Sequence, residues 1–455
     1  MLLIGYLRVA LIRWISVSGC SASAIFLLAM TLYGCRQSAR EPVTLNTFLP
    51  GWSQPDEFPA DEALSQQFTR TTDIHVNNLP VPENTLDMLN VSRRLLQTSN
   101  SGPDVLGIDL IWSGALEGDL IDLRPYLAAE ISSLEPQFVH GYVQGGKIVA
   151  VPYLVTVGVL EYRTDLLREY GYEYPPKTWN ELESMAERIQ RGERAKGKKD
   201  FWGYVWQGAA AEPLTCNALE WQASEGGGRI IENDRTISVN NPATIRAWQR
   251  ARRWIGWISP PSVVAYRERD TMNVFDSGGA AFARVWFGTT PTIINSGQSR
   301  LLQRRSSLPV DKTGYTSIPG GPGGSAGVLG GSGLAVSRHS AHPKEAIELV
   351  RFLIRAKIQS SNKEESASDN QPEIYNLPWV SDPQDHSRKS IQDRSGIVNR
   401  TSFEAGSRYE QVSGAYLSSV HAVLTGEKGA PEAAAELEKQ LITLTGFRTG
   451  PPKTD

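Results

Sequence analysis

The sequence predicts an α/β protein with two domains, and three observations support this. The chain has 455 residues, whereas a single hydrophobic core rarely grows beyond about 250–300 residues. Predicted strands and helices alternate between residues 43 and 109, which is typical of parallel βαβ units. Two apolar runs meet at Pro152 with no room for a turn, which suggests two strands and a chain that passes straight from one sheet into another.

The first predicted domain opens with three strands separated by two helices. These elements are strands at 43–49, 73–76 and 104–109 and helices at 61–68 and 86–96. Ligands of open parallel sheets bind outside the carboxyl ends of the strands. Asp109 and Trp112 follow the third strand, so both are candidate binding residues. The alternatives are a helix cap for Asp109 and core packing for Trp112.

The second predicted domain begins with an apolar run and a helix behind a capping-box sequence. Thr178 and Glu181 have the S/T-x-x-E spacing of that motif. Later predicted elements are strands at 201–208, 279–287 and 334–337, helices at 214–223 and 242–255, a helix from His342 and two helices after Tyr409. Polar residues 359–371 are predicted to be flexible, and residues 448–455 to be a frayed tail.

Composition and charge argue against several classes of function. The net charge of −3 gives no electrostatic reason to expect nucleic acid as a partner. The six histidines are scattered without the spacing of a metal site, so we predict neither a metal nor a cofactor. The three cysteines are Cys20, Cys35 and Cys216.

The first 34 residues have the pattern of an export signal. Arg8 and Arg13 precede an apolar stretch that ends at Gly34 and Cys35. Leu-x-Gly-Cys resembles the lipoprotein signal-peptidase site, which predicts Cys35 as the lipid attachment residue. An uncleaved membrane anchor is the alternative, because the stretch could span a bilayer. Either way, the chain is predicted to be exported and held at the outer face of the membrane, on the periplasmic or extracellular side.

Ordered local matches to a known family run from about residue 41 to residue 447. They include the crossing around Pro152 and the segment Gly314–Pro319. The chain resembles bacterial extracellular solute-binding proteins of the carbohydrate class, the receptor subunits of ABC importers, near the trehalose/maltose-binding branch. The resemblance implies a two-lobed periplasmic-binding-protein fold, in which each lobe is a largely parallel sheet flanked by helices and the ligand cleft lies between the lobes.

The resemblance also implies that each lobe is built from discontinuous segments. We predict lobe 1 from residues 41–153 and 314–358, and lobe 2 from residues 154–313 and 372–447. The ligand is then held beside the crossing at Pro152 by groups from both lobes.

Sugar recognition combines carboxylates and amides, which pair with hydroxyls, and flat rings, which cover the apolar face of a pyranose. The family counterpart of Asp109 binds sugar hydroxyls, and Trp286 matches a stacking tryptophan in the family's Arg-Asn-Trp-Pro-like segment. Arg400 matches the arginine of the family's Arg-Pro-Ser segment; its alternative is a surface ion pair. The full candidate set is Trp52, Asp109, Trp112, Tyr153, Thr156, Trp286, Gly331, Ser332 and Arg400.

Two positions depart from the family pattern. Thr156 stands where the family often has a sugar-binding aspartate, and Ser332 replaces the ring of its Gly-Gly-Trp-Gly segment. A hydrogen bond to a charged group is worth ~1.5–3 kcal/mol. The resemblance therefore does not imply trehalose or maltose as the ligand of this chain. A different glycan, a polyol or a non-sugar solute is an open alternative.

The predicted function is that of a monomeric lipoprotein that captures a sugar and delivers it to a membrane permease without chemistry. A sensor subunit that does not transport is one alternative. An exported hydrolase is another, because residues 323–327 fit G-x-S-x-G with Ser325 as nucleophile. That motif needs a strand before the serine and a helix after it, and the glycine-rich surroundings of Ser325 do not predict them.

Overall fold

The computed structural model describes residues 42–49, 59–82, 85–98, 102–134, 136–287, 312–367 and 396–453. The chain divides into residues 1–43 and a compact unit from Thr44 onward. Cys35, Trp52 and the predicted signal peptide lie outside the described residues.

Most strands of the described chain join one mixed sheet. The strands are β1 Thr44–Phe48, β2 His75–Asn78, β3 Val105–Asp109, β4 Val143–Gln144, β5 Lys147–Ile148, β6 Val151–Arg163, β7 Trp202–Val205, β8 Ala280–Phe287, β9 Thr313–Ser317, β10 Gly327–Val336 and β11 Ile397–Val398. The large sheet has the order β2-β1-β3-β10-β6-β8-β7, with β11 paired to β10 and β9 paired to β6. Strands β4 and β5 form a separate hairpin.

Two long strands, β6 and β10, connect the halves of this sheet, and we call them the crossing strands. On one side, β10 pairs with β3, β3 pairs with β1, and β1 pairs with β2. On the other side, β6 pairs with β8 and β9, and β8 pairs with β7. The outer pairs β1–β2, β1–β3 and β7–β8 are parallel, as predicted, whereas the crossing strands run antiparallel to β3 and β8.

The predicted break at Pro152 is wrong in one respect, because a single 13-residue strand contains this residue. The pairing of β6 with β10 shifts between Ser332 and Gly333, where Ser332 faces Leu154 and Gly333 faces Pro152. A β-bulge is one of the few places where a sheet accepts proline, since the proline has no N–H to donate. The extra residue of β6 at this bulge is Tyr153.

Helices cover the sheet and close the core. They are α1 Pro59–Thr72, α2 Thr85–Leu96, α3 Ser113–Leu116, α4 Ala128–Ser132, α5 Pro136–His140, α6 Thr164–Glu169, α7 Trp179–Ala195, α8 Glu212–Ser224, α9 Pro242–Trp254, α10 Glu268–Asp276, α11 Pro343–Ala367, α12 Ser402–Ala405, α13 Tyr409–Thr425 and α14 Ala430–Thr445. The predicted capping box is present at the start of α7, where Thr178 accepts from the Glu181 amide and Glu181 accepts from the Thr178 amide. None of the helices in these ranges is long and apolar enough to span a bilayer.

Helix α11 extends into the segment predicted to be flexible. It ends at Ala367, so residues 359–367 of the polar segment are helical and only 368–371 lie outside the described chain. Glutamate, lysine and alanine are good helix formers, and they continue a helix whose earlier turns pack on the core through Leu349, Val350 and Leu353.

Candidate ligand-binding site

Several predicted site residues meet where the crossing strands pass β3 and β8. Asp109, the last residue of β3, faces Ser332 on β10. Two positions back along β10, Gly330 faces Thr156 on β6. A Cβ on Gly330 would lie 2.8 Å from Thr156 Oγ1 and 2.9 Å from Trp286 Cζ3. Thr156 and Trp286 therefore lie side by side at Gly330, and Asp109 lies opposite Ser332 on the same strand.

Gly331, beside these residues, has a backbone that favours glycine. Its φ is +131°, and a Cβ there would lie 2.1 Å from the carbonyl oxygen of Leu154 on β6. The strand β10 can therefore approach β6 closely at this point only without a side chain. A structural need explains Gly331, and a ligand contact through its backbone stays a prediction.

Asp109 performs the predicted cap and also forms an ion pair. Its Oδ1 accepts from the Ile111 amide at 3.1 Å, which caps the 3₁₀ turn Leu110–Trp112. The same oxygen accepts from Arg400 Nη2 at 3.2 Å. The Asp109 side chain remains 27% exposed, so it retains a solvent-facing part that a ligand hydroxyl can reach.

Arg400 is buried, so the alternative of a surface ion pair is wrong. Its side chain is 3% exposed and joins Asp109 to Glu212, whose Oε1 lies 3.1 Å from Nη1. Burial opposes the charge of Arg400, but the nearby anions, Asp109 first, raise its pKa, so it remains a cation. Tyr409 Oη donates to Glu212 Oε1 and Ser413 Oγ to Glu212 Oε2, each at 2.6 Å.

Glu212 was not among the candidates from the sequence. It is the first residue of α8, next to Pro213, and its partner Arg400 lies 188 positions away along the chain. A helix begun by an acidic residue before proline is common and indicates only a helix start. What marks Glu212 as a candidate site residue is its ion pair with Arg400, and only the folded structure brings these two residues together.

Trp286 lies on β8 and is half-buried. The guanidinium carbon of Arg284 stands 4.0 Å from the centroid of its ring. Arg284 in turn donates from Nε and Nη2 to the carboxylate of Glu220, at 3.1 and 2.6 Å. This buried pair was not predicted, although an arginine inside the small-residue run of residues 279–287 is unusual for a core strand.

The remaining candidates lie elsewhere or outside the described chain. Trp112 is 3% exposed and packs in the core, so the structure favours its structural alternative. Tyr153 is half-buried at the β-bulge, close in sequence to the site. Trp52 lies outside the described residues.

The surroundings of Ser325 do not form a hydrolase nucleophile elbow. Its Oγ donates to the carbonyl oxygen of Ile318 at 2.7 Å. Strand β10 begins two residues later, at Gly327, so a strand rather than a helix follows the serine. An elbow needs the opposite order. Within the described ranges, no group of three His, Cys, Asp or Glu side chains could hold a metal ion.

Comparison with known proteins gives the family. A family model described as bacterial extracellular solute-binding protein matches residues 51–360. A probable ABC transporter-binding protein of Deinococcus radiodurans is 38% identical over 374 residues, which cover 82% of this chain and 87% of the relative. A lipoprotein of Streptomyces antibioticus is 26% identical over 345 residues, 73% of this chain and 72% of the relative.

Solved structures of similar fold cover almost the whole compact unit. Maltose-bound MalE3 of T. maritima has a TM-score of 0.71 and 28% identity, over 88% of this chain and 99% of that one. A solute-binding protein of Thermotoga lettingae with bound α-D-tagatose has a TM-score of 0.72 and 19% identity, over 89% of this chain and 100% of that one.

The fold is the two-lobed α/β fold of periplasmic solute-binding proteins. Proteins of this class are the substrate-binding subunits of ABC transporters and not enzymes. The chain belongs to the bacterial extracellular solute-binding protein family.

Proposed function

We propose that this protein captures a sugar, most simply a di- or oligosaccharide, in a cleft beside the crossing strands and delivers it to the permease of an ABC transporter. One observation carries the proposal. The hydroxyl of Thr156 on β6 and the indole of Trp286 on β8 both lie against Gly330 of β10, and Asp109 at the end of β3 faces Ser332 two positions further along the same strand. Such a set can bind vicinal hydroxyls and stack on a pyranose.

The charges at the site argue against an anionic ligand. Arg400 is already paired with Asp109 and Glu212, so its positive charge is not free for an anionic ligand. The side chains of Ser332 and of Thr156, which is 5% exposed, are uncharged. Structural neighbours were solved with maltose, α-D-tagatose, ribitol and D-mannitol, all neutral polyhydroxyl compounds. A micromolar complex with such a ligand needs about 8 kcal/mol.

Capture follows from closure of the lobes about the crossing strands. A ligand shifts the equilibrium toward the closed form only by the extra contacts that it makes there. Asp109 belongs to one half of the sheet and Trp286 to the other, so a sugar that binds both gains its full set of contacts on closure. The closed, loaded protein then docks on the permease.

The location follows from the N-terminal signal. Export, cleavage before Cys35 and lipidation of its sulfur hold the protein, as a monomer, at the outer face of the membrane. A relative described as a lipoprotein supports this. The test is incorporation of labelled palmitate, which Cys35→Ser should abolish. Light scattering of the chain that starts at Arg36 should give a monomer mass.

The test of ligand class is a thermal-shift screen of the chain that starts at Arg36, followed by calorimetry. Maltose, trehalose, tagatose, ribitol and mannitol form the sugar and polyol arm, and glycerophosphocholine forms a non-sugar arm. We expect a rise in melting temperature with at least one member of the first arm and no conversion of it. A response confined to glycerophosphocholine, or turnover of a sugar, would contradict the proposal. Deletion of the gene should abolish uptake of the bound sugar; uptake that persists would indicate a sensor instead.

A further inference from the structure

Beneath the proposed stacking residue lies a buried ion pair that the proposed function does not use. Arg284 and Glu220 have side-chain exposures of 0% and 1%. The two hydrogen bonds between them, at 3.1 and 2.6 Å, form a bidentate contact. Burying both ions carries a large desolvation penalty, so such a pair is weak evidence of stabilisation and calls for another explanation.

The pair is attached to both crossing strands. Glu220 Oε1 also accepts from the Val328 amide of β10 at 3.0 Å. On β6, Gly158 leaves the space that the pair occupies, because a Cβ there would lie 1.9 Å from Glu220 Oε1 and 2.4 Å from Arg284 Nη2. Both crossing strands therefore restrict where the guanidinium can lie, β10 through its hydrogen bond to Glu220 and β6 through the space at Gly158.

The guanidinium covers one face of the Trp286 ring. Its central carbon lies 4.0 Å from the ring centroid, well inside the range of a cation–π contact. Within the described chain, Arg284 Nη1 is buried and makes no hydrogen bond, and an N–H beside an aromatic face is stabilised by the π electrons. An edge of the same indole lies against Gly330 of β10.

We propose that Arg284, anchored by Glu220, is a positioning residue that holds the Trp286 indole so that only its opposite face is left for a sugar ring. This inference rests on the proposed function for its ligand, but the positioning itself is a property of the protein. Lysine cannot replace the arginine, because its point charge lacks the planar fork that binds a carboxylate and stacks on a ring.

The test of positioning uses the chain from Arg36 labelled with 5-fluorotryptophan. Loss of a ¹⁹F resonance in Trp286→Phe assigns the Trp286 signal. We expect Arg284→Lys to shift or broaden that signal and to leave most of the other tryptophan signals in place. The matched control is Arg163→Lys, which alters another buried arginine, one paired with Asp165 at 2.6 Å, and should leave the Trp286 signal unchanged.

The test of function is a double-mutant cycle with calorimetry, with maltose as the first probe and then the sugar or polyol that gave the largest thermal shift. Arg284→Lys should weaken binding about tenfold in the parent chain, the effect of one lost aromatic contact. It should have less than about a twofold effect in a Trp286→Ala background, because a residue that acts through the ring has nothing left to position. Equal losses in both backgrounds would overturn the proposal.

A second variant keeps the test decisive if Arg284→Lys does not fold. Arg284→Met with Glu220→Gln removes both charges together, which proteins often tolerate, and the glutamine can still accept from Val328. We expect the same Trp286 shift and the same loss of affinity. An unmoved Trp286 resonance would overturn the inference, even if no sugar binds the parent chain; failure of every sugar and polyol on the parent chain refutes only the proposed function.

Discussion

At the scale of single residues, the site depends on a buried arginine that is paired with two carboxylates. Arg400 carries one positive charge between the carboxylates of Asp109 and Glu212, and Tyr409 and Ser413 donate to Glu212. Asp109 therefore has two roles, since it caps the turn after β3 and balances a buried arginine. Removing its charge should affect both ligand binding and the protein without ligand.

Asp109→Asn tests this double role. The amide oxygen can still cap Ile111, but Arg400 keeps only Glu212 as an ionic partner. We expect the sugar-induced thermal shift to be lost. The free energy of unfolding should also fall by about 1–2 kcal/mol. This is less than the cost of breaking a fully buried ion pair, because Asp109 is partly exposed. Urea denaturation and calorimetry measure both. Asp234→Asn, which alters an exposed pair with Lys453, is the control and should change neither.

The buried carboxyl group of Glu161 should make the free energy of unfolding depend on pH, whether or not a ligand is bound. Burial raises the pKa of Glu161 to about 8, although the hydrogen bond from Tyr315, at 2.7 Å, lowers it. An unfolded glutamate titrates near pH ~4.3, so between about pH 4.3 and 8 the folded protein holds a proton that the unfolded chain has lost. The free energy of unfolding should fall as the pH rises through this window.

Glu161→Gln should remove that slope. Each unit of pKa difference corresponds to about 1.4 kcal/mol, so the parent chain should lose a few kcal/mol between pH 5 and 8 that the variant keeps. Denaturation curves at a series of pH values measure this. Parallel pH profiles for the two proteins would show that Glu161 ionises normally in the folded state.

At the scale of elements, the crossing strands position the site through residues that have no side chain. Gly158 makes room for the Arg284–Glu220 pair, and Gly330 lies against Thr156 and Trp286. The β-bulge opposite Pro152 and the close approach at Gly331 complete the irregular part of the crossing. The ligand-binding groups are therefore set by strand backbone rather than by long loops.

Gly330→Ala tests the role of the strand backbone. The new methyl group would lie within 3.0 Å of Thr156 Oγ1 and Trp286 Cζ3, and the ring, as the end of a side chain, has to move. We expect sugar affinity to fall about tenfold and the free energy of unfolding to fall by about 1–3 kcal/mol, the usual cost of overpacking. Gly414→Ala is the control, because a Cβ there meets no atom within 4 Å; equal affinities of the two variants would contradict the prediction.

Sequence patterns predicted most helices and strands, but not which distant residues form ion pairs. The alternation in residues 43–109 and the capping box at Thr178 are local signals. The predicted order of strands and helices and the capping box are confirmed, although the second strand is His75–Asn78 and not 73–76. The pairs Glu212–Arg400 and Glu220–Arg284 join residues 188 and 64 positions apart, and no local pattern encodes such distances. Composition misjudged residues 359–367, since a polar segment that continues a packed helix remains helical.

At the scale of the whole molecule, the compact unit from Thr44 onward has no covalent cross-link among its described residues. Cys216 is a free, buried thiol on α8, and burial raises its pKa to about 12. A thiol that is both buried and protonated does not react. Its modification therefore requires the core around α8 to open.

Thiol labelling of the chain from Arg36 should report global unfolding. Cys216 is then its only cysteine, and we expect labelling by an aromatic disulfide reagent to slow further when a sugar binds, because binding stabilises the folded state. Gly118→Cys is the control, since its open position should react within seconds. Equally fast labelling of Cys216 would contradict the burial described for α8.

The ion-pair cluster of Arg400, Asp109 and Glu212 has a consequence for the conditions in which the protein can bind its ligand. A receptor on the outside of a cell meets media whose ionic strength the cell does not set, and dissolved salt screens exposed charges far more than enclosed ones. Because the arginine and its two acidic partners satisfy one another within the fold, recognition of an uncharged guest should persist from dilute water to concentrated brine.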